Sequence, residues 1–386
     1  MNRNRLLRLV LVSCFPILLS GCWDAKEIQD NNYISALGID FVNGRYIVHA
    51  QLLDFTSVAK QEGGKPSESA RVWVSKSTGA SINEAVNKMY QSSQQYMLYA
   101  HVNAIVYSEA ALRHGPQIVY DLTNRYREIR YTKWVYGTTE PLDQLLTVTP
   151  FFNESPIASI LNEPKATYKQ SSYVKPLQFQ RYLANYNEQG RTTLLPYLSI
   201  NKSTWKENLE KHSLLEIGGA MIIDHGTLRG SLNKENLKGL RWVTPHTVRA
   251  FLNIKGGTSK QGELVGTFVI RKPKVRIEPL IRDGRLAFNL HIRLAGSLNE
   301  LGQNVSEAEL IALAKKEVAK EIKATYLKGI AIKADIYQLG YALLLQSPAQ
   351  WNTYFGSNAF PLTEHSIEAI NIQMNIDNTG KYKLRT

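Results

Sequence analysis

The chain has 386 residues, and its content of 44% hydrophobic and 20% charged residues is typical of a folded globular protein. These values exclude a predominantly disordered chain, and the length is sufficient for two or three domains. The net charge is +13, with 23 basic and 15 acidic side chains in residues 215–386. The basic residues are dispersed and no nucleic-acid-binding motif occurs, so nucleic acid is not an expected partner. The basic excess either faces an anionic membrane surface or is simply solvated.

Residues 1–21 have the pattern of an export signal. A basic start is followed by an apolar run over residues 9–19, which is shorter than the roughly 20 residues that a membrane span needs. The run ends Leu19-Ser20-Gly21-Cys22, which resembles the lipobox of bacterial lipoproteins. The resemblance implies cleavage between Gly21 and Cys22 and a diacylglyceryl group on the Cys22 thiol. An ordinary secretory signal with a chance cysteine is the alternative.

The sequence contains no pattern that predicts catalysis or metal binding. Cys14 is removed with the signal, so a mature chain with Cys22 alone can form neither a disulfide nor a cysteine metal site. The histidines lack metal-ligand spacing, and neither G-x-S-x-G nor H-E-x-x-H occurs. Asp224-His225 is either an acid–base pair or part of a turn before Gly226, and residues 256–260 lack the spacing of a phosphate loop. We therefore predict a protein that is not an enzyme, with no cofactor, no metal and no catalytic residue.

Residues 22–146 are predicted to form an N-terminal α/β domain in which strands and helices alternate. Strands at 33–40 and 45–53 are joined by an Asn43-Gly44 turn, and a polar loop covers 59–69. Ser81 and Glu84 form a capping box that starts a helix. The buried stripe of that helix is predicted to contain Ile82, Val86, Met89 and Tyr90. Further strands are predicted at 71–76, 103–107 and 132–136, and a further helix at 116–127.

A small irregular or helical subdomain and linker are predicted for residues 147–210. The segment 150–191 is rich in Pro, Tyr, Asn and Gln, and its apolar pattern is weak. Residues 199–211 are polar and are interpreted as a linker.

Residues 211–386 are predicted to form a C-terminal α+β domain. Strands are expected at 218–223 and 228–230 around His225-Gly226, at 262–272, and at 286–294 after an Asp283-Gly284 turn; 274–278 is expected to pair poorly because of Pro279. Ser306 with Glu309 starts a long helix, a second helix covers 334–345, and a last strand contains Ile370, Ile372, Met374 and Ile376. The fold class is therefore α+β or mixed α/β, with several domains each built on a mainly antiparallel or mixed sheet with flanking helices.

The residues after the lipobox resemble a known family. Cys22-Trp23-Asp24-Ala25-Lys26-Glu27-Ile28 is followed by Leu37-Gly38-Ile39-Asp40. This combination resembles the Ger(x)C family, the C subunits of spore nutrient-germinant receptors. Residues 306–326 resemble the long helix of the family, and 335–340 with Trp351 resemble the next segment, so the resemblance covers nearly all of the mature chain.

The resemblance implies several α/β domains and a lipid-anchored, non-enzymatic subunit exported to the outer face of the spore inner membrane. It also implies two integral-membrane partners, an A and a B subunit, which act with this subunit to sense small nutrients and trigger germination. No binding or catalytic residue is carried over, except the acylated Cys22.

Trp23, Asp24, Glu27 and Ile28 lie directly beside the predicted anchor. Tryptophan prefers the membrane interface, and Ile28 is available to contact a partner. The simpler interpretation is that Trp23 rests among the lipid headgroups while Asp24 and Glu27 tether the first strand. A second candidate surface is a basic aromatic cluster, either an anion site or a solvated helix end, formed by Arg125, Tyr126, Arg127, Arg130, Tyr131 and Trp134.

Two other functions remain open from the sequence. A solute-binding lipoprotein that delivers a nutrient to a transporter has a similar anchor and size, although the strand-rich start of the C-terminal part differs from the usual two-lobed pattern. The other is an envelope enzyme such as a wall hydrolase, because no sequence pattern excludes a catalytic pair of acidic residues.

Overall fold

The structure is a computed structural model that describes residues 31–53, 71–115, 130–256, 263–303, 305–357 and 360–379. The predicted signal, the lipobox-like residues 19–22, the predicted loop at 59–69 and the predicted helix at 116–127 lie outside these residues. The described residues form two sheets, of nine and five strands, with helices packed against both. The predicted fold class is therefore confirmed.

The first sheet has the strand order β3-β2-β1-β5-β6-β7-β8-β9, with β4 beside β1. The central strands β1, β5, β6 and β7 are parallel, and antiparallel hairpins extend the sheet on both sides. Its strands are β1 Asn31–Val42, β2 Arg45–Leu53, β3 Trp73–Gly79, β4 Tyr96–Leu98, β5 Ala104–Ser108, β6 Trp134–Thr138, β7 Thr192–Glu207, β8 Glu210–Asp224 and β9 Thr227–Asn233.

Both faces of the parallel centre are covered, which explains why β5 and β6 are apolar at nearly every position. Ile105 and Val135 point to one core, while Val106 and Tyr136 point to the opposite one. The helices of this half are α1 Ile82–Ser92, α2 Glu109–His114, α3 Leu142–Thr147, α4 Pro164–Gln170 and α5 Phe179–Asn187.

The first predicted turn and the first predicted helix cap are confirmed. The Asn43-Gly44 turn joins β1 to β2, and the Ser81 Oγ accepts a hydrogen bond from the Glu84 N–H at 3.1 Å. The Glu84 carboxylate accepts a hydrogen bond from the Ala80 N–H. In a regular capping box it would accept from the N–H of Ser81, one residue later. Tyr90 is 41% exposed, so its place in the buried stripe was wrong; Ala85 is buried instead.

The predicted linker at 199–211 is wrong, because these residues form part of the long β7–β8 hairpin. Their polar character reflects the exposure of the outer hairpin and not a break in the fold. The division into 22–146, 147–210 and 211–386 remains a prediction, although its second boundary falls where this hairpin turns.

The second sheet is built around the 17-residue strand β13. β12 pairs with the first part of β13 and β11 with the last part, while β14 runs parallel to β13 along its other edge. The strands are β10 Ala250–Lys255, β11 Leu264–Ile270, β12 Lys274–Arg282, β13 Arg285–Leu301 and β14 Ile367–Asn378. The helices are α6 Leu240–Val243, α7 Glu307–Ala331, α8 Leu339–Gln346 and α9 Pro348–Phe355.

The pairing of β12 and the start of α8 differ from the sequence-based predictions. Pro279 does not prevent pairing, because β12 is an edge strand that is in register with β13 along all nine residues. The second helix begins at Leu339, whereas residues 334–338 form a turn that precedes it. The capping of α7 by Ser306 is confirmed, with the Glu309 N–H 3.3 Å from the Ser306 Oγ.

The two sheets share a core. Ala220 and Ile222 of β8 belong to the same buried cluster as Phe288 of β13 and Val318 of α7. The end of the first sheet is therefore packed against the second half of the chain.

Candidate functional site

The residues predicted to carry the lipid and to contact the membrane lie outside the described residues. This applies to Gly21, Cys22, Trp23, Asp24, Glu27 and Ile28. Their roles therefore remain predictions.

The described members of the basic aromatic cluster do not form a single exposed surface. Arg125, Tyr126 and Arg127 lie outside the described residues, Tyr131 is 51% exposed, and Trp134 is buried. The Nζ of Lys165 lies 5.2 Å from the centre of the Trp134 ring, so another part of the chain covers this ring. Burial, together with nearby Arg130, lowers the pKa of Lys133 to about 8.

Asp224 and His225 are adjacent in space as well as in sequence. Asp224 Oδ1 lies 3.2 Å from His225 Nδ1, and its Oδ2 lies 3.3 Å from an Arg229 nitrogen. His225 has a φ of +46° in the β8–β9 turn and a side chain that is 64% exposed. This geometry agrees with the turn interpretation.

A cavity of about 1130 Å³ lies between the β8–β9 turn and the helical segment that follows α7. We call it the junction cavity, and its lining includes Asp224, Arg229, Lys333, Asp335, Trp351 and Phe355. Its size is slightly above that of typical small-molecule sites. Lining residues from both halves of the chain meet here, which no local sequence pattern could indicate.

Asp335 is the most perturbed carboxyl group of the junction cavity. Burial raises its pKa to about 6, and nearby Asp224 adds to the effect. Its Oδ2 accepts a hydrogen bond from the Gly340 N–H at 2.7 Å, so the carboxylate caps α8. Asp335 Oδ1 and Trp351 Nε1 have no hydrogen-bond partner in the part of the chain that the structure describes.

The outer β7–β8 hairpin exposes large apolar side chains. Leu209 at its turn is 88% exposed, and Trp205 on its stem is 49% exposed. Phe151 packs edge-on against Trp205 at 4.9 Å, and neighbouring Phe152 is 71% exposed. We call Phe152, Trp205 and Leu209 the hairpin patch. Apolar side chains that adjoin one another at the surface, as Phe151, Phe152 and Trp205 do, are typical of contact surfaces.

In the described ranges, no group of three His, Cys, Asp or Glu side chains is placed to hold a metal ion. The helices in these ranges also lack the combination of length and apolar character that a membrane span requires.

Two family sequence models match consecutive parts of the chain. The spore germination protein N-terminal domain matches residues 24–200, and the spore germination B3/GerAC-like C-terminal domain matches residues 217–380. The chain belongs to the Ger(x)C family of spore germination proteins. The matches extend from two residues after Cys22 almost to the end of the chain.

Relatives of this Ger(x)C protein match it over nearly its whole length. Spore germination protein KC of Bacillus subtilis (strain 168) is 25% identical over 89% of this chain and 88% of its own length. Spore germination protein B3 of the same organism is 26% identical over 88% of this chain and 89% of its own length. These relationships support a role for the family member described here in spore germination.

The crystal structure of the GerBC protein has the same fold. It superposes with a TM-score of 0.52 at 20% sequence identity, over 89% of this chain and 96% of that protein. At this identity the likeness establishes the architecture alone.

Proposed function

We propose that this protein is the lipid-anchored, non-enzymatic C subunit of a spore nutrient-germinant receptor. It lies on the outer face of the spore inner membrane and acts with two integral-membrane subunits to trigger germination. The observation that carries the proposal is the continuity of Leu19-Ser20-Gly21-Cys22 with the Trp23-Asp24 motif and the family match that begins at residue 24.

The anchor follows from the chemistry of the lipobox. A diacylglyceryl group on the Cys22 thiol supplies two acyl chains, which hold a protein at a bilayer stably where one chain does not. Trp23, Asp24, Glu27 and Ile28 then lie at the headgroup level, where they contact the bilayer or a membrane-embedded partner.

The surface of the described residues also supports a protein that acts by binding other proteins. The hairpin patch exposes three large apolar side chains, whereas Asp224 and His225 take part in a tight turn. These features favour assembly over catalysis.

Nutrient-triggered release of dipicolinate from spores that lack the gene tests the proposal, with a non-nutrient trigger as the control. We expect the nutrient response to be lost and the control response to be kept. Complementation with Cys22→Ala should leave the response impaired and the protein detached from membranes, whereas Cys14→Ala, in the cleaved leader, should restore both. A normal nutrient response in Cys22→Ala spores, with the protein still in the membrane fraction, would contradict the anchor.

The junction cavity favours one alternative, an extracytoplasmic solute-binding lipoprotein. Isothermal titration of the full-length protein with amino acids and sugars separates the two functions. Micromolar binding together with a normal germination response in the deletion strain would support the alternative.

A further inference from the structure

Strand β10 forms an open edge of the second sheet. Within the described residues its six residues pair with β11 on one side only. The backbone N–H and C=O groups along its other side therefore face no neighbouring strand. Such an edge is a template for another extended segment, because its hydrogen-bonding groups already have the spacing of a β-ladder.

A groove of about 990 Å³ follows this open edge. It is bordered by Ile254, which faces the core, and by Asn253 and Lys255 on the opposite face of β10. Residues from both faces of a strand border one groove only at an edge, since successive side chains point to opposite faces. No described residue of β11 borders it. This groove, which we call the edge groove, occupies the place of a further strand.

The second wall of the edge groove is helix α7, which contributes Leu313 and Lys316. The loop and short helix around Lys238 and Arg241 also line it, and Arg241 is ion-paired with Glu321 of α7. The groove therefore lies beside β10 and is lined by the apolar side chains of Ile254 and Leu313 together with charged side chains.

The margins are basic. Five basic and three acidic side chains border the groove, and each acid is already paired. The pairs are Glu235 with Lys238, Glu317 with Lys320, and Glu321 with Arg241. Lys255 and Lys316 are exposed and have no ion-pair partner among the described residues. The uncompensated charge of the groove is therefore positive and lies on its two walls, β10 and α7.

We propose that the edge groove binds an extended acidic segment of a partner protein, which adds as a strand beside β10. The backbone of that segment pairs with the open edge, and its acidic side chains lie against Lys255 and Lys316. Main-chain hydrogen bonds supply affinity in this mode of recognition, while side-chain charge supplies selectivity. This inference goes beyond the proposed function, because it assigns a binding site and the chemistry of a partner that family membership does not specify.

Fluorescence anisotropy with labelled model peptides tests the proposal on the full-length protein in detergent. The first probe is a Glu-Val repeat of roughly eight residues, long enough to pair along β10. The matched probes are a Lys-Val repeat and a Glu-Val repeat with a central proline, which lacks one backbone donor. We expect the acidic peptide to bind, the proline peptide to bind more weakly, the basic peptide not to bind, and salt to weaken binding.

Charge reversal locates the site. Lys255→Glu with Lys316→Glu should weaken binding of the acidic peptide about tenfold or more. Lys323→Glu with Lys328→Glu, on exposed positions of α7 that do not border the groove, is the matched control and should leave binding within about twofold. Hydrogen exchange should show new protection of β10 amides in the bound state.

Three results would overturn the proposal. One is failure of the acidic peptide to bind at low salt, which would mean that the lysines only shield the edge. The others are equal loss of binding in the two double variants, and binding without added protection of β10. A defect in folding is recognised separately, because the thermal unfolding midpoint of each variant is measured beside its affinity.

Discussion

Arg241 and Glu321 form a buried ion pair that joins the short helix α6 to the long helix α7. The Arg241 Nη2 lies 3.1 Å from both carboxylate oxygens of Glu321, and the side chains are only 5% and 12% exposed. The Trp242 Nε1 donates to the same carboxylate at 2.6 Å. The carboxylate therefore satisfies two buried donors at once.

Glu321→Gln should lower the free energy of unfolding by about 3 kcal/mol, because it leaves the Arg241 cation buried without a counter-charge. Urea unfolding of the full-length protein measures the loss. Glu368→Gln, which removes an exposed partner of Arg282, is the control and should change stability by less than about 1 kcal/mol. Equal effects of the two substitutions would contradict the role of burial.

Asp335 should make stability decrease as the pH rises from about 4 to about 6. Its pKa is raised from 3.8 to about 6 in the folded protein, so the folded state holds this proton more tightly than the unfolded state. The stabilisation is complete below pH 4 and is lost as the pH passes through 6. The change amounts to roughly 3 kcal/mol, at about 1.4 kcal/mol for each pKa unit.

The Asp335→Asn variant isolates this contribution from those of other titrating groups. The difference in unfolding free energy between the wild type and the variant should change across this pH range. Parallel stability curves for the two proteins would show that the Asp335 carboxyl group titrates normally.

Gly219 should not tolerate a side chain, whereas Gly230 should. A Cβ at Gly219 would lie 2.0 Å from the Leu232 carbonyl oxygen, a backbone atom that cannot move aside. A Cβ at Gly230 would first meet Ile332 at 3.7 Å, an ordinary contact. Gly219→Ala should cost about 1–3 kcal/mol, and Gly230→Ala should be neutral or stabilise by about 0.5 kcal/mol. Similar unfolding midpoints for the two variants would refute this assignment.

Leu209 occupies a position that favours glycine. Its φ is +74°, as in Gly44 of the β1–β2 turn, and the side chain is 88% exposed. Leu209→Gly should therefore stabilise the protein by about 1 kcal/mol, because the left-handed conformation is costly for a residue with a Cβ.

The reciprocal substitution Gly44→Leu is the matched control and should destabilise by a similar amount, since its Cβ would meet no atom within 4 Å. Thermal unfolding measures both variants. Destabilisation by Leu209→Gly would show that the leucine makes contacts that outweigh its backbone strain.

Much of the local structure could be predicted because its causes are short-range. Ser81 and Ser306 start helices by accepting hydrogen bonds from N–H groups three residues later. The Asn43-Gly44 and Asp283-Gly284 turns join hairpins because both positions have positive φ, which these residues adopt at low cost. The alternation along β13 was equally visible, since one face of the strand is buried.

The candidate sites could not be predicted in the same way. Asp335 and Asp224 are more than 100 residues apart in the sequence, and only the packing of the two halves brings them to one cavity. The polar residues 199–211 suggested a linker, because hydrophobicity alone does not distinguish an exposed hairpin from a loop.

The sequence by itself predicted an export signal and a candidate anchor at Cys22, and it determined the family and most individual strands and helices. Each of these depends on residues close together in the chain or on a pattern spread along it. The tertiary structure alone decided which strands became neighbours, and hence that β10 has an open edge and that Asp335 is buried. These properties depend on contacts between distant segments, whose free energy is a property of the packed chain and not of any local stretch.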